Sequence, residues 1–191
     1  MKVIAFNGSP RPEGNTAQLL DVVLSAIATA GHETELVQLG GSGIQPCNAC
    51  YSCFESKDST CPSIQDDVLN EFARKAFEAD GLLIGSPTYF ANVTPEVKAF
   101  IDRLGLLAIA NDYALSRKVG AGVVAVRRAG STNVFDAINK FFLINQMIVP
   151  GSVYWNMGIG RNPGDVVEDE EGQKIMRVLG ENIAWLLDRL Q

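Results

Sequence analysis

Five short, nearly continuous apolar runs, separated by longer stretches with helical spacing, constrain the fold of this chain most strongly. The runs predict strands over residues 2–6, 33–39, 81–85, 120–126 and 148–155. The intervening spacing predicts helices over residues 15–30, 64–79, 94–107, 131–147 and 170–190. Strands that are apolar on both faces belong to parallel sheets covered by helices on both sides, so the predicted class is α/β. In such sheets ligands bind at the carboxyl ends of the strands, which points to the loops after strands one, three and four.

Length and composition fit one globular domain over residues 1–191, with a cysteine-rich loop at about residues 40–63 (the cysteine loop). With 47% hydrophobic and 20% charged residues, the chain is not a disordered tail. A net charge of −6 without a basic stripe excludes nucleic acid as a partner. Because no apolar run reaches the roughly 18 residues of a membrane helix or forms a signal-peptide core, we expect a cytoplasmic protein with no membrane partner.

The first loop, residues 8–16, leads from strand one into a helix with the sequence Gly-Ser-Pro-Arg-Pro-Glu-Gly-Asn-Thr. Helix N-termini bind phosphate because their free N–H groups and the helix dipole favour anions. The loop adds side-chain donors that suit a phosphate monoester: Ser9, Arg11, Asn15 and Thr16. It is not a nucleotide-triphosphate P-loop, because five residues separate Gly8 from Gly14 and Asn15 replaces the lysine. The alternative is an ordinary turn in which Asn15 or Thr16 only caps the helix.

The third loop, residues 85–95, combines two prolines, two aromatic residues and several polar groups. Planar heteroaromatic ligands bind between apolar walls with a few fixed hydrogen bonds. Tyr89 and Phe90 offer such walls, and the backbone of residues 88–92 offers the hydrogen bonds. The alternative is a hydrophobic plug between helices, since aromatic residues are most often core. The predicted position opposite the first loop favours a ligand with both a phosphate and a flat ring.

All four cysteines lie in the cysteine loop, in the pattern Cys47-x2-Cys50-x2-Cys53-x7-Cys61-Pro62. Ferredoxin-type sequences share the spacing of the first three cysteines and place a proline after the last. The pattern therefore predicts that Cys47, Cys50, Cys53 and Cys61 hold an iron–sulfur cluster. Zinc bound by four thiolates and a loop of free thiols stay open as alternatives, whereas disulfides are disfavoured in a reducing compartment.

Two sets of residues resemble a known family. Gly-Ser-Pro-Arg with Gly-Asn-Thr in the first loop, and Ser-Pro-Thr-Tyr-Phe followed by Thr-Pro-Glu-Val-Lys-Ala-Phe-Ile-Asp-Arg from the third loop onward, resemble the flavodoxin-fold NAD(P)H-dependent FMN reductases. The cysteine pattern is similar to that of their iron–sulfur flavoprotein branch, whose cluster is [4Fe–4S]. The resemblance implies a flavodoxin-like three-layer sandwich with a five-stranded parallel sheet in the order 2-1-3-4-5.

The resemblance also implies where FMN binds. Its phosphate would contact the first loop through Ser9, Arg11, Gly14, Asn15 and Thr16. Its isoalloxazine ring would contact the third loop through Pro87, Thr88, Tyr89, Phe90 and Asn92. The fourth loop, residues 127–130, departs from the glycine-rich form common in the family. Beside a flavin, Arg127 or Arg128 would add positive charge that stabilises its reduced form, and Gly130 would permit close backbone approach. The alternative is that both arginines are solvated or paired with acidic residues.

The sequence thus predicts an FMN-dependent oxidoreductase that passes electrons from NAD(P)H to a small acceptor such as a quinone, free flavin or metal ion. One alternative is an iron–sulfur flavoprotein electron carrier that takes electrons from ferredoxin through a [4Fe–4S] cluster. A redox sensor or a zinc-stabilised scaffold without turnover is another. No catalytic side chain is required, because the cofactor carries the chemistry. The resemblance also implies a homodimer or homotetramer.

Three further residues carry expectations about burial. His32, the only histidine, follows a predicted helix end and is expected at the surface or as a cap. Trp155 and Trp185 are expected in the core or at an interface.

Overall fold

The computed structural model describes residues 1–190 and contains one parallel sheet. Its strands are β1 (Lys2–Asn7), β2 (Glu33–Gln38), β3 (Gly81–Pro87), β4 (Val119–Val126) and β5 (Met157–Ile159). They lie in the order β2-β1-β3-β4-β5. In the register of this sheet, Phe6 of β1 pairs with Val37 of β2 and Ile84 of β3. The predicted α/β class and the flavodoxin-like strand order are confirmed.

Helices cover both faces of the sheet and complete a three-layer sandwich. They are α1 (Asn15–Thr29), α2 (Ser52–Ser56), α3 (Leu69–Glu78), α4 (Pro95–Ala110), α5 (Ser131–Ile144) and α6 (Glu170–Leu187). α1 and α6 pack on one face, and α3, α4 and α5 pack on the other. None of the helices found within residues 1–190 is long and apolar enough to cross a membrane.

The three central strands, β1, β3 and β4, are nearly continuous apolar runs because both of their faces are buried. In β1, Val3 and Ala5 belong to the core under α1 and α6. Ile4 and Phe6 of the same strand belong to the core under α3, α4 and α5. All four side chains are completely buried. Burial of each large apolar side chain stabilises the fold by about 1.5–3 kcal/mol, so this strand anchors both layers at once.

The sequence predicts the fifth strand at residues 148–155, and this prediction is wrong, since β5 lies at Met157–Ile159. Ile148 makes an isolated bridge to β4, but Pro150 then interrupts the pairing because proline has no N–H to donate. The apolar run at residues 153–155 is about half exposed and faces away from the core. Its hydrophobicity therefore marks a surface segment rather than a buried strand.

The helix predicted over residues 64–79 begins later, at Leu69. The Asp67 carboxylate accepts the Leu69 N–H at 3.1 Å, and the Ile64 carbonyl accepts a hydrogen bond from the Arg103 side chain at 3.1 Å. These bonds hold the segment before α3 in a non-helical conformation. The cysteine loop in turn contains the short helix α2, which the sequence does not predict.

His32 is only 6% exposed, so the expected surface position is wrong. Its Nε2 lies 3.3 Å from the carboxylate of Asp188, directly after α6. Trp155 and Trp185 are each about half exposed, so neither lies in the core. The guanidinium of Arg189 lies 3.9 Å from the centre of the Trp185 ring. A place for either tryptophan at an interface stays a prediction.

Candidate cofactor site

The first, third and fourth loops converge on one cleft at the carboxyl ends of β1, β3 and β4, with a cavity of about 190 Å³. Nine residues predicted from the sequence line it: Ser9, Arg11, Gly14, Asn15, Thr16, Pro87, Thr88, Tyr89 and Arg127. Four residues that the sequence did not predict also line it: Ala125, Val126, Gly160 and Arg161. Gly160 and Arg161 directly follow β5. They were not predicted because the sequence pattern places the fifth strand at residues 148–155.

A polar network behind the first loop fixes the position of Ser9. The Ser9 N–H donates to the Asn7 side chain at 3.1 Å, and the Ser9 carbonyl accepts from the Gln38 amide at 2.7 Å. Asn7 also donates to Gln38 at 2.7 Å. Gly40 packs so closely that a Cβ at this position would lie 2.2 Å from the Ser9 carbonyl oxygen. The backbone of the loop is therefore preorganised before any ligand binds.

The N-terminus of α1 faces the cleft with its first-turn N–H groups free. Gly14 occupies the N-cap, no side chain caps the helix, and no acidic residue lies in the first turn. The alternative that Asn15 or Thr16 merely caps the helix is therefore wrong. Arg11, Arg127 and Arg161 line the same cleft and add positive charge. Together with the helix dipole, these groups suit an anion such as a phosphate.

The side chain of Asn15 is committed to the opposite wall of the cleft. Its amide nitrogen donates to the Asn162 carbonyl at 2.9 Å, and its amide oxygen accepts from the Gly164 N–H at 2.8 Å. Asn15 thus holds the loop after β5, which includes Arg161, against the start of α1. The group that Asn15 can still offer to a phosphate is its backbone N–H.

The third loop contains a tight, strained turn at residues 89–92. Tyr89 and Asn92 exchange two backbone hydrogen bonds of 2.9 Å, and Phe90 and Ala91 between them have φ of 48° and 58°. Two consecutive positive φ values define a type I′ turn, which favours glycine or asparagine over phenylalanine. Phe90 is fully exposed at the tip, directly after the lining residue Tyr89, and neither Phe90 nor Asn92 itself lines the cleft. The inner wall of the cleft is formed instead by Pro87, Thr88 and Tyr89.

Contacts between the loops make the cleft one unit. The buried hydroxyl of Thr94 caps α4 by accepting from the Val97 N–H at 3.4 Å, and it donates to the Gly8 carbonyl at 2.9 Å. In the fourth loop, Gly130 has a φ of +88°, and a Cβ there would lie 2.8 Å from the Ala91 Cβ. The backbone of Gly130 therefore approaches Ala91 of the third loop closely, as the prediction of close backbone approach required. Arg128 is exposed and lies outside the wall of the cleft.

The four cysteines line a second, smaller pocket of about 20 Å³ (the thiol pocket). Arg103, Leu106 and Leu107 of α4 form its opposite wall. The thiol pocket and the cleft share no lining residue. Arg103 follows Thr94, the N-cap of α4, by nine residues, or about 14 Å along the helix axis.

Three polar side chains anchor the cysteine loop to the helices beneath it. Arg103 of α4 forms a fully buried ion pair with Asp67 and donates to the carbonyls of Gln45 and Ile64, each at 3.1 Å. Asn70 of α3 accepts from the Cys61 N–H at 2.7 Å. Asn111, after α4, accepts from the Ser59 N–H at 3.1 Å. The position of the cysteines is therefore set by long-range contacts.

Comparison with known proteins identifies the family of this chain. The family described as NADPH-dependent FMN reductase matches residues 1–162. The chain belongs to this family. It is therefore an FMN-dependent flavoprotein oxidoreductase, and the resemblance stated from the sequence is confirmed.

Relatives of this FMN reductase family member include an iron–sulfur flavoprotein of Methanocaldococcus jannaschii, 41% identical over 191 residues and covering 96% of both chains. An iron–sulfur flavoprotein of Methanosarcina thermophila is 31% identical and covers 100% of this chain and 97% of its own. Among solved structures, the NAD(P)H:quinone oxidoreductase from Methanothermobacter marburgensis superposes with a TM-score of 0.66 at 15% identity, covering 96% and 98% of the two chains. At that identity the likeness shows the fold alone.

The thiols of this FMN reductase family member differ in their readiness to ionise. Hydrogen bonding with the side-chain hydroxyls of Ser52 and Ser63 lowers the pKa of the exposed Cys50 thiol to about 7. Burial raises the pKa of Cys53. Burial also opposes ionisation of Cys61, but the guanidinium of Arg103 helps to hold the pKa of that thiol below its usual value. Iron and zinc bind thiolates rather than thiols, so the shifts of Cys50 and Cys61 are in the direction that metal binding needs.

The four thiols surround the pocket without converging on a single point. Across residues 1–190, no three His, Cys, Asp or Glu side chains are grouped closely enough to hold one metal ion. A [4Fe–4S] cluster uses four separate thiolates, one for each iron, around a shared volume. All four cysteines line one pocket, and this arrangement fits a [4Fe–4S] cluster.

Proposed function

We propose that this protein is an electron-transfer oxidoreductase that holds FMN in the cleft and a [4Fe–4S] cluster in the thiol pocket. In this proposal it takes electrons from ferredoxin and reduces a small acceptor such as a quinone, free flavin or metal ion. The observation that carries the proposal is that all four cysteines line one pocket, in a chain whose relatives are named iron–sulfur flavoproteins. FMN exchanges one or two electrons and the cluster exchanges one, which would link a one-electron donor to a two-electron acceptor.

The residues of the cleft supply binding and orientation for FMN. The free N–H groups at the start of α1, the Ser9 hydroxyl and the guanidinium of Arg11 would hold the phosphate. Pro87, Thr88 and Tyr89 would form the wall for the ring. Arg127 would place a positive charge beside it, which favours the more negative, reduced form of the cofactor.

The residues of the cysteine loop supply four thiolates and the backbone shape that directs them. Ala49 and Tyr51, on either side of Cys50, have left-handed φ values of 56° and 59°. These conformations curl the chain around the pocket at a cost of about 1–3 kcal/mol each, which is typical of ligand-holding segments. The Ala49 N–H lies 3.4 Å from the Cys47 sulfur and would donate to it as a ligand.

A second candidate function takes electrons from NAD(P)H instead of ferredoxin. The family description and the exposed aromatic tip of the third loop, next to the cleft, favour it. We also propose that the protein works in the reducing cytoplasm, since the four cysteines are free thiols.

Counting cofactors in anoxically purified protein tests the proposal and separates the alternatives. We expect about one FMN with about four irons and four acid-labile sulfides per chain, because a [4Fe–4S] cluster takes four cysteines. Reduced ferredoxin should then bleach the flavin absorbance faster than NADPH or NADH does. Stoichiometric zinc without iron would instead indicate a zinc-stabilised scaffold, and reduction by NAD(P)H alone would support the second candidate.

The Arg11→Ala variant should bind FMN roughly ten- to a hundredfold more weakly than the wild type. Within the described chain the Arg11 guanidinium has no ion-pair partner, and it lines the cleft beside the start of α1. Loss of a charge-assisted hydrogen bond costs about 1.5–3 kcal/mol, which gives this change in Kd. Fluorescence titration of the apoprotein with FMN measures it. Arg128→Ala is the matched control, since Arg128 is also exposed but lies outside the cleft, and equal weakening in both variants would contradict the assignment.

We further propose a homodimer or homotetramer. The fully exposed Phe90 and the half-exposed residues 153–155 are apolar groups that a partner subunit would cover. Size-exclusion chromatography with light scattering at micromolar concentration should give twice or four times the mass of one 20.6 kDa chain. A stable single-chain mass would contradict this.

A further inference from the structure

One nitrogen of Arg103 has no hydrogen-bond partner, although the side chain anchors the cysteine loop through the other two. The side chain is 1% exposed, and both terminal nitrogens are used in bonds to Asp67, Gln45 and Ile64. Its third nitrogen, Nε, is buried and has no hydrogen-bond partner anywhere in residues 1–190. A buried donor without an acceptor costs about 1–3 kcal/mol, so such groups call for an explanation.

The surroundings of Arg103 indicate which acceptor is missing. Arg103 lines the thiol pocket together with all four cysteines. Because the guanidinium is planar and its two terminal nitrogens are fixed, the direction of the Nε–H bond is fixed as well. Of the four cysteines, Cys61 lies closest along the chain to Ile64, whose carbonyl already accepts from Arg103 at 3.1 Å, and Cys61, Ile64 and Arg103 line the same pocket. A sulfur on this side of the pocket would satisfy the free donor.

We propose that Arg103 is a positioning residue for the cluster, with its Nε–H donating a charge-assisted hydrogen bond to the Cys61 sulfur when that sulfur binds iron. This inference rests on the proposed function, since it requires the cluster. A cationic donor to a ligand sulfur draws negative charge away from the metal centre and stabilises its reduced form. Arg103 therefore raises the midpoint potential of the cluster, in addition to fixing the loop that carries it. Lysine cannot replace it, because an ammonium lacks the planar fork that serves Asp67 and Cys61 together.

Pulsed electron paramagnetic resonance on protein labelled with ¹⁵N-arginine tests the hydrogen bond directly. The wild-type protein is loaded with its cluster anoxically and reduced by one electron, which makes the cluster paramagnetic. We expect a ¹⁵N hyperfine coupling and an exchangeable proton coupling in the wild type. The Arg103→Lys variant should lose both and should have a more negative midpoint potential. Arg74→Lys is the matched control, because Arg74 is an exposed residue of α3 that pairs only with Glu78.

The outcomes separate this inference from the proposed function. A wild-type protein that takes up neither iron nor sulfide would overturn the proposed function and the inference with it. A full cluster without ¹⁵N coupling, or an Arg103→Lys potential equal to that of the wild type, would overturn the inference alone. If Arg103→Lys does not fold, the labelled wild type and Arg74→Lys still decide the question, because the coupling is measured without removing Arg103.

Discussion

The Cys50→Ala variant is expected to lose nearly all iron and acid-labile sulfide while it still binds FMN with wild-type affinity. A four-iron cluster needs one thiolate for each iron, so a protein that lacks one of the four cysteines does not retain the cluster. Cys50 is exposed, and its sulfur interacts only with the hydroxyls of Ser52 and Ser63. The substitution therefore removes no core packing. The cleft shares no residue with the thiol pocket, so its three loops stay in place.

Iron, sulfide and FMN per chain, measured after anoxic purification, give the result. Tyr51→Phe is the control, since it changes a neighbour in the same pocket without removing a sulfur, and it should keep the cluster. Loss of FMN together with iron in Cys50→Ala would show that the cysteine loop supports the flavin site. Retention of a full complement of iron would contradict the assignment of Cys50 as a ligand.

The sheet and the cleft could be predicted because their signals are local in the sequence. Strands such as β1 are apolar on both faces, and the first and third loops follow directly from β1 and β3. Once the strands are parallel, the ends of those loops must meet at one edge. The cysteine spacing likewise placed four thiols in one segment, and the structure brings them to one pocket.

Features that depend on distant partners could not be predicted in this way. Asp67 looks like an acidic residue at the start of a helix, yet its partner Arg103 lies 36 residues away on α4. Arg161 lines the cleft because it lies just after β5. Its position could not be predicted, since β5 has only three residues and gives no apolar pattern of its own. Phe90 is an aromatic residue of the kind that lines a site for a planar ring, but the type I′ turn directs its side chain to solvent. In each case tertiary structure overrides the local pattern.

The Asp67→Asn variant is expected to lower the free energy of unfolding by about 3–5 kcal/mol at pH 7, since it leaves the buried charge of Arg103 without its partner. Side chains of both residues are at most 2% exposed, so water cannot replace the lost carboxylate. Asp66→Asn is the matched control, because the neighbouring carboxylate is exposed and accepts only from the Gln45 side chain at 3.0 Å. Urea unfolding followed by circular dichroism should show a change within about 0.5 kcal/mol for the control. Equal losses in the two variants would contradict a special role for the ion pair.

The ion pair between Asp67 and Arg103 also makes the free energy of unfolding of the wild type depend on pH in a predictable direction. Burial opposes ionisation of Asp67, but the hydrogen bonds from Arg103, Gln45 and Leu69 outweigh it and hold the pKa of Asp67 below its usual value. The folded state therefore binds this proton less readily than the unfolded state, in which the pKa is about 3.9. The stabilisation is complete well above that value and is lost as the pH falls through the lower pKa of the folded protein. Unfolding curves of wild type and Asp67→Asn should consequently differ most near neutral pH and draw together below about pH 3.9. A constant difference across that range would show that the carboxylate charge is not what stabilises the cysteine loop.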